Sequence, residues 1–131
     1  MADTMQFDLV SPERMLASVQ ANEALIPGSE GDFTAMPAHV PVIASLRPGL
    51  LRVACPDGAR EFVVSGGFAE VATTGVSVLA ERAVPREEAT REFLDQLRED
   101  AQAAHDSAAE DERDAAAKIL ADIAELLRNM V

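Results

Sequence analysis

The sequence predicts an α+β protein, with an all-β domain over residues 1–84 and two helices over residues 85–131. Three observations carry this. Apolar and polar residues alternate with a period of two in the first part of the chain. Turn signals rich in glycine and proline recur there at intervals of about 8 to 12 residues, the rhythm of a sandwich or barrel. Near Pro85 the apolar period changes to about 3.6, and no glycine follows Gly75.

Met5, Phe7 and Leu9 alternate with Gln6 and Asp8, which predicts a half-buried strand over 5–10, broken by Ser11-Pro12-Glu13-Arg14. A less regular β-like run over 15–26 stops at Pro27-Gly28. Residues 28–41 (Gly-Ser-Glu-Gly-Asp-Phe-Thr-Ala-Met-Pro-Ala-His-Val-Pro) cannot form one regular element, because two glycines widen φ and two prolines remove donors. They predict an ordered loop or bent edge, the kind of segment on which contact residues concentrate. The apolar run 40–46 stops at Arg47-Pro48-Gly49, whose proline and glycine are placed for a type II turn. Strands over 50–55 and 61–65 flank Pro56-Asp57-Gly58, and Ser65-Gly66-Gly67 reads as a tight turn or bulge. Strands over 68–72 and 76–80 flank Thr73-Thr74-Gly75.

Pro85 suits a first helical turn, with Glu87 and Glu88 near the positive end of the helix dipole. Ala89, Phe93, Leu97, Ala101 and Ala104 form one narrow apolar stripe, with Leu94 beside it. His105-Asp106-Ser107 interrupts it, and Ser107-Ala108-Ala109-Glu110 has the spacing of a capping box, so a second helix is expected to start there. Ala116, Ile119, Ile123, Leu127 and Met130, thickened by Leu120 and Leu126, form the second stripe. The short connection predicts an antiparallel hairpin packed through Phe93, Leu97, Ile119, Ile123 and Leu127. Neither stripe buries enough apolar surface to be stable alone, so the pair is either a permanently packed hairpin or a detachable arm.

A net charge of −12 argues against nucleic-acid binding and against adhesion to anionic lipid. No apolar run approaches the roughly 20 residues that span a bilayer, and the first residues lack the pattern of a signal peptide, which predicts a cytoplasmic protein with no membrane insertion. The lone Cys55 excludes an internal disulfide and reads as a small apolar filler. His39 and His105 fall in different predicted domains. Glu30 and Asp32 supply two carboxylates, against the six or more oxygens that calcium takes. No catalytic residue, metal site or cofactor site is therefore expected, and the chain reads as an interaction protein.

Six segments then stand in a specific order and spacing: Val10-Ser-Pro-Glu13, Gly28-Ser-Glu-Gly-Asp32, Pro37-Ala-His-Val-Pro41, Leu46-Arg-Pro-Gly49, Ser65-Gly-Gly-Phe-Ala-Glu-Val71 and Val76-Ser-Val-Leu-Ala80. In these the chain resembles the epsilon subunit family of bacterial F-type ATP synthases over essentially its whole length. The resemblance implies a ten-stranded β-sandwich followed by the helical hairpin. It implies a non-catalytic rotor subunit of the central stalk that binds the gamma subunit and the polar loops of the c-ring and couples rotation to ATP synthesis. It also implies a peripheral position at the cytoplasmic face of the bacterial inner (plasma) membrane. Ser29, Glu30, Gly31 and Asp32, together with His39, would lie on the c-ring side, with Glu30 and Asp32 as acceptors. Thr34 and Ala38 stand where relatives commonly show glycine, which should stiffen the loop.

In many relatives the hairpin extends to the alpha/beta catalytic head and blocks ATP hydrolysis, and some bind ATP through an Ile/Leu-Asp-x-x-Arg-Ala pattern at the first helix. The matching segment here is Ala89-Thr-Arg-Glu-Phe-Leu94, with neither the acid nor the arginine in place, so no ATP binding is expected. From Pro85 onward, six basic residues stand against thirteen acidic ones. Inhibitory relatives dock basic positions on an acidic segment, so this hairpin is expected to inhibit weakly. The competing reading is a free-standing regulatory adaptor that binds a partner protein through its hairpin.

Overall fold

Eight strands form among the described residues, 3–130, of the computed structural model. They are β1 (Met5–Val10), β2 (Met15–Ala21), β3 (Glu23–Ile26), β4 (Phe33–Ala35), β5 (Val42–Ser45), β6 (Gly49–Cys55), β7 (Gly58–Ala72) and β8 (Gly75–Pro85). Two helices follow, α1 (Arg91–Asp106) and α2 (Arg113–Met130), each preceded by a short 3-10 turn. The chain divides into two units between Arg86 and Glu87. Residues 1–2 and 131, the outermost positions of the two expected domains, lie outside the described residues.

The strands join in the order β2-β1-β8-β7-β6-β3-β4, with β5 paired to β7 beside β6. All pairs are antiparallel except β1 with β8. The ladder folds over on itself, since β2 touches β6 although β1, β8 and β7 separate them in the order. The enclosed core draws on Phe7, Leu9, Ile26, Leu51, Val53 and Val78, all fully buried, with Cys55 among them. Each comes from a strand whose alternate residues face outward, as the period of two requires.

The strand count is eight where the family resemblance implies ten, and the two longest strands explain the difference. In β7 the inward residues are Phe62 and Val64 before the glycine pair, then Ala69 and Val71 after it. In β8 they are Val76, Val78 and Ala80, then Ala83. The inward face thus changes from even to odd numbers in both strands at the same level, yet the β7–β8 register is unchanged from Phe62↔Pro85 to Ala72↔Gly75. Each long strand serves both layers without breaking, where a division at the switch would give ten segments.

Gly66 and Gly67 make the switch. Their φ values are +72° and +96°, and a Cβ on Gly67 would lie 2.0 Å from the Leu79 carbonyl oxygen. The pair is a kink inside a strand, neither the expected tight turn nor a bulge that shifts register, because pairing with β8 resumes at Gly67↔Ala80 in the same register as Ser65↔Arg82. The expected type II turn at Arg47-Pro48-Gly49 is also absent, because Gly49 lacks the required positive φ and opens β6 opposite Val64. A Cβ there would sit 3.0 Å from the Pro27 ring, so close approach explains this glycine.

In the second unit both helix starts differ from expectation. Pro85 closes β8, and Thr90 caps α1, its Oγ1 accepting the Phe93 amide at 3.2 Å. Ser107 ends α1 instead of starting the next helix, because its Oγ donates to the Ala103 carbonyl at 2.9 Å and its amide to the same oxygen at 3.1 Å. His105 and Asp106 therefore lie inside α1. α1 and α2 pack against each other. The buried residues are Leu94 and Leu97 on α1, and Ile123 and Leu126 on α2. Phe93 and Leu127 are half-buried, and Ile119 is 44% exposed. No helix among the described residues is long and apolar enough to cross a membrane.

Candidate contact site

β3 and β4 form a hairpin in register Ala24↔Ala35 to Ile26↔Phe33, and residues 27–32 are its tip. The tip is a four-residue turn closed by the Gly31 amide donating to the Gly28 carbonyl at 3.1 Å, with Gly31 at φ +132°. A Cβ on Gly28 would meet the Gly31 oxygen at 2.6 Å, so the tightness of the turn selects glycine there. Main-chain bonds fasten the first leg of the tip to the last residue of β5 and the segment that follows it. The Ser29 amide donates to the Ser45 carbonyl at 2.8 Å and the Arg47 amide to the Pro27 carbonyl at 3.0 Å, on either side of a Gly28–Leu46 bridge.

The second leg is held by a side chain. Arg47 donates from Nε and Nη2 to Asp32 Oδ1, at 3.1 and 2.7 Å. Farther on, Met36-Pro37-Ala38-His39 turns with the His39 amide on the Met36 carbonyl at 3.1 Å. Ala38, at φ +63°, is the one described residue other than glycine in the left-handed region. His39 Nδ1 lies 2.6 Å from the Val40 carbonyl, a contact that makes it the donor when that nitrogen carries the proton.

Between the tip and β5 lies an open groove of about 670 Å³. Ser29, Glu30, Gly31 and His39, four of the five residues singled out from the sequence, line it together. Asp32 does not, since it turns to Arg47. The opposite wall is apolar: Val40 is 75% and Ile43 70% exposed, and Val42 is also exposed. The arrangement offers one carboxylate and one imidazole above an apolar strip on an edge strand, which suits contact with another protein. Among the described residues no group of three or more His, Cys, Asp or Glu is placed to hold a metal.

Sequence reasoning missed Arg47 and the apolar wall. Arg47 was absorbed into a turn signal, and its partner lies fifteen residues earlier. Val40 belongs to the irregular stretch and, with Val42 and Ile43, opens the apolar run 40–46, and an apolar run by itself does not tell which of its faces is left uncovered.

Comparison with known proteins adds identity to this geometry. Residues 4–86 match the ATP synthase delta/epsilon chain β-sandwich domain. The ATP synthase epsilon chain of Ruegeria sp. (strain TM1040) is 54% identical over 99% of this chain and 98% of its own. This chain belongs to the ATP synthase epsilon family. The epsilon chain of Rhodobacter capsulatus is 58% identical over 94% of this chain and 93% of its own. Among solved structures, a chain of the Euglena gracilis mitochondrial ATP synthase OSCP/F1/c-ring assembly is similar, with a TM-score of 0.72 and 27% identity over 98% of this chain and 82% of that one. Epsilon chains are non-catalytic structural subunits of the rotary complex, and this one is no enzyme. The whole groove lies within the matched sandwich domain, while α1 and α2 are covered by the full-length epsilon relatives.

Proposed function

We propose that this chain is the rotor subunit of the central stalk in a proton-driven F-type ATP synthase, held by the gamma subunit and standing on the c-ring. It works as a peripheral subunit at the cytoplasmic face of the membrane. The observation that carries the reading is the fold shared over 98% of the chain with a component of an F1/c-ring assembly, beside epsilon relatives matched almost end to end. Ser29, Glu30, Gly31, Asp32 and His39 form the c-ring end of the sandwich domain, residues 1–84. The groove supports this, because four of them converge there beside an apolar strip.

The second domain, residues 85–131, acts as an antiparallel hairpin packed through Phe93, Leu97, Ile123 and Leu127, with the expected Ile119 left 44% exposed. With six basic against thirteen acidic residues it docks poorly on an acidic surface of the alpha/beta head, so it inhibits ATP hydrolysis weakly. Removing the residues after Glu88 from the assembled enzyme should then leave hydrolysis within about twofold of the intact complex, a difference worth about 0.4 kcal/mol. A many-fold rise would overturn this assignment.

The decisive experiment for the rotor reading is purification of the membrane complex. The chain should leave the membrane with ATPase subunits at fixed stoichiometry, and a cysteine at Glu30 should cross-link to a c-ring loop. Recovery apart from the ATPase would favour the adaptor reading instead.

A further inference from the structure

Resting on the c-ring reading of the groove, we infer that Asp32 is a positioning residue and not a contact: its ion pair with Arg47 fixes the hairpin tip so that Glu30 is presented to the partner. Three facts lead there. Asp32 is absent from the groove lining, while its neighbours Ser29, Glu30 and Gly31 are all in it. Arg47 Nε and Nη2 both donate to its Oδ1, which draws the carboxylate to the base of the tip. That guanidinium is itself anchored, since the Arg47 amide binds Pro27 at the base of the tip and the next residue, Pro48, is buried.

The tip therefore has two unlike fastenings. Its first leg, Pro27 to Ser29, is tied by main-chain bonds in which no side chain takes part. Its second leg, leading from Gly31 into β4, is held across the base by the arginine. A Cβ built on Gly31 would meet nothing within 4 Å, so no side chain packs on the tip in that direction. Without the clamp, the turn that carries Glu30 could pivot about its first leg, and the carboxylate would spend less time over the apolar strip of Val40 and Ile43. An exposed pair contributes little to global stability, so its effect should show in association.

The test is rebinding of the full-length subunit to ATP synthase stripped of it. Arg47→Asp and Asp32→Arg should each weaken rebinding about threefold to fivefold, and the double swap should restore it to within about twofold. Asp32→Asn should behave like Asp32→Arg, and Asp32→Glu should restore binding, with melting temperatures of all variants close to the parent. Glu30→Arg should weaken rebinding and gain nothing from Arg47→Asp. If the double swap binds as poorly as Asp32→Arg alone, Asp32 touches the partner and the positioning role falls. If the Arg47 and Asp32 variants bind normally while Glu30→Arg and Ile43→Asp bind weakly, the role falls but the c-ring reading stands. If none of these variants changes rebinding, the reading of this face is itself wrong.

Discussion

In the sandwich unit, side chains such as Phe7 and Leu51 are fully buried in one cluster fed by seven of the eight strands, whereas α1 and α2 bury only two residues each. The contrast shows in their glycines as well, because the first unit depends on backbone conformations that only glycine adopts readily, while the second contains no glycine at all. One unit is specified by many positions acting together, and the other by a few apolar anchors and its end caps. Perturbations should therefore spread through the first and stay local in the second.

The largest effect is expected at the strand kink. Gly67→Ala would force a side chain into φ +96° and against the Leu79 carbonyl, and should cost about 4 kcal/mol in urea unfolding, with loss of the whole β signal. A cost below about 1 kcal/mol would mean that the two-layer strand tolerates an ordinary backbone there. Next comes Ile123→Ala, which removes a side chain that is 1% exposed and should destabilise the helices by about 3 kcal/mol. Helical ellipticity should fall while amide exchange in β6 and β7 stays slow; accelerated exchange in those strands would erase the distinction between the units. Thr90→Ala removes the cap of α1 and should cost about 1 kcal/mol, read as faster exchange of the Phe93 amide with little change elsewhere. At the small end, calorimetry with ATP should give no dissociation constant at or below about 1 mM, an affinity corresponding to about 4 kcal/mol. Millimolar or tighter binding would show that the helical unit carries a phosphate site despite lacking the expected acid and arginine.

Much of the sandwich was legible because burial follows the alternation directly. Met5, Phe7 and Leu9 in β1, and Val76, Val78 and Ala80 in β8, face inward as their spacing requires. The failures share one cause, which is that residues with two uses were read in the commoner one. Gly66 and Gly67 punctuate turns in most sequences, but here they re-aim a strand that continues. Pro85 and Ser107 resemble helix starts, yet one ends a strand and the other ends a helix, and the actual cap, Thr90, has no glutamate or glutamine three residues on to mark it. At the site, Ser29, Glu30, Gly31 and His39, which the family resemblance implies as neighbours on one side of the sandwich, line one groove. The Asp32–Arg47 pair was invisible because pairing across a folded hairpin leaves no trace in local spacing.

The one parallel pairing, of β1 with β8, has a consequence for synthesis of the chain. β1 ends at Val10, but its second partner begins at Gly75, so one flank of the first strand stays unmatched until more than half the polypeptide has left the ribosome. At roughly 5 to 20 residues per second that wait lasts several seconds, during which Phe7 and Leu9 have only β2 for company. The strand made first is thus among the last to be completed, and a closure linking such distant parts of the chain is of the kind that slows folding.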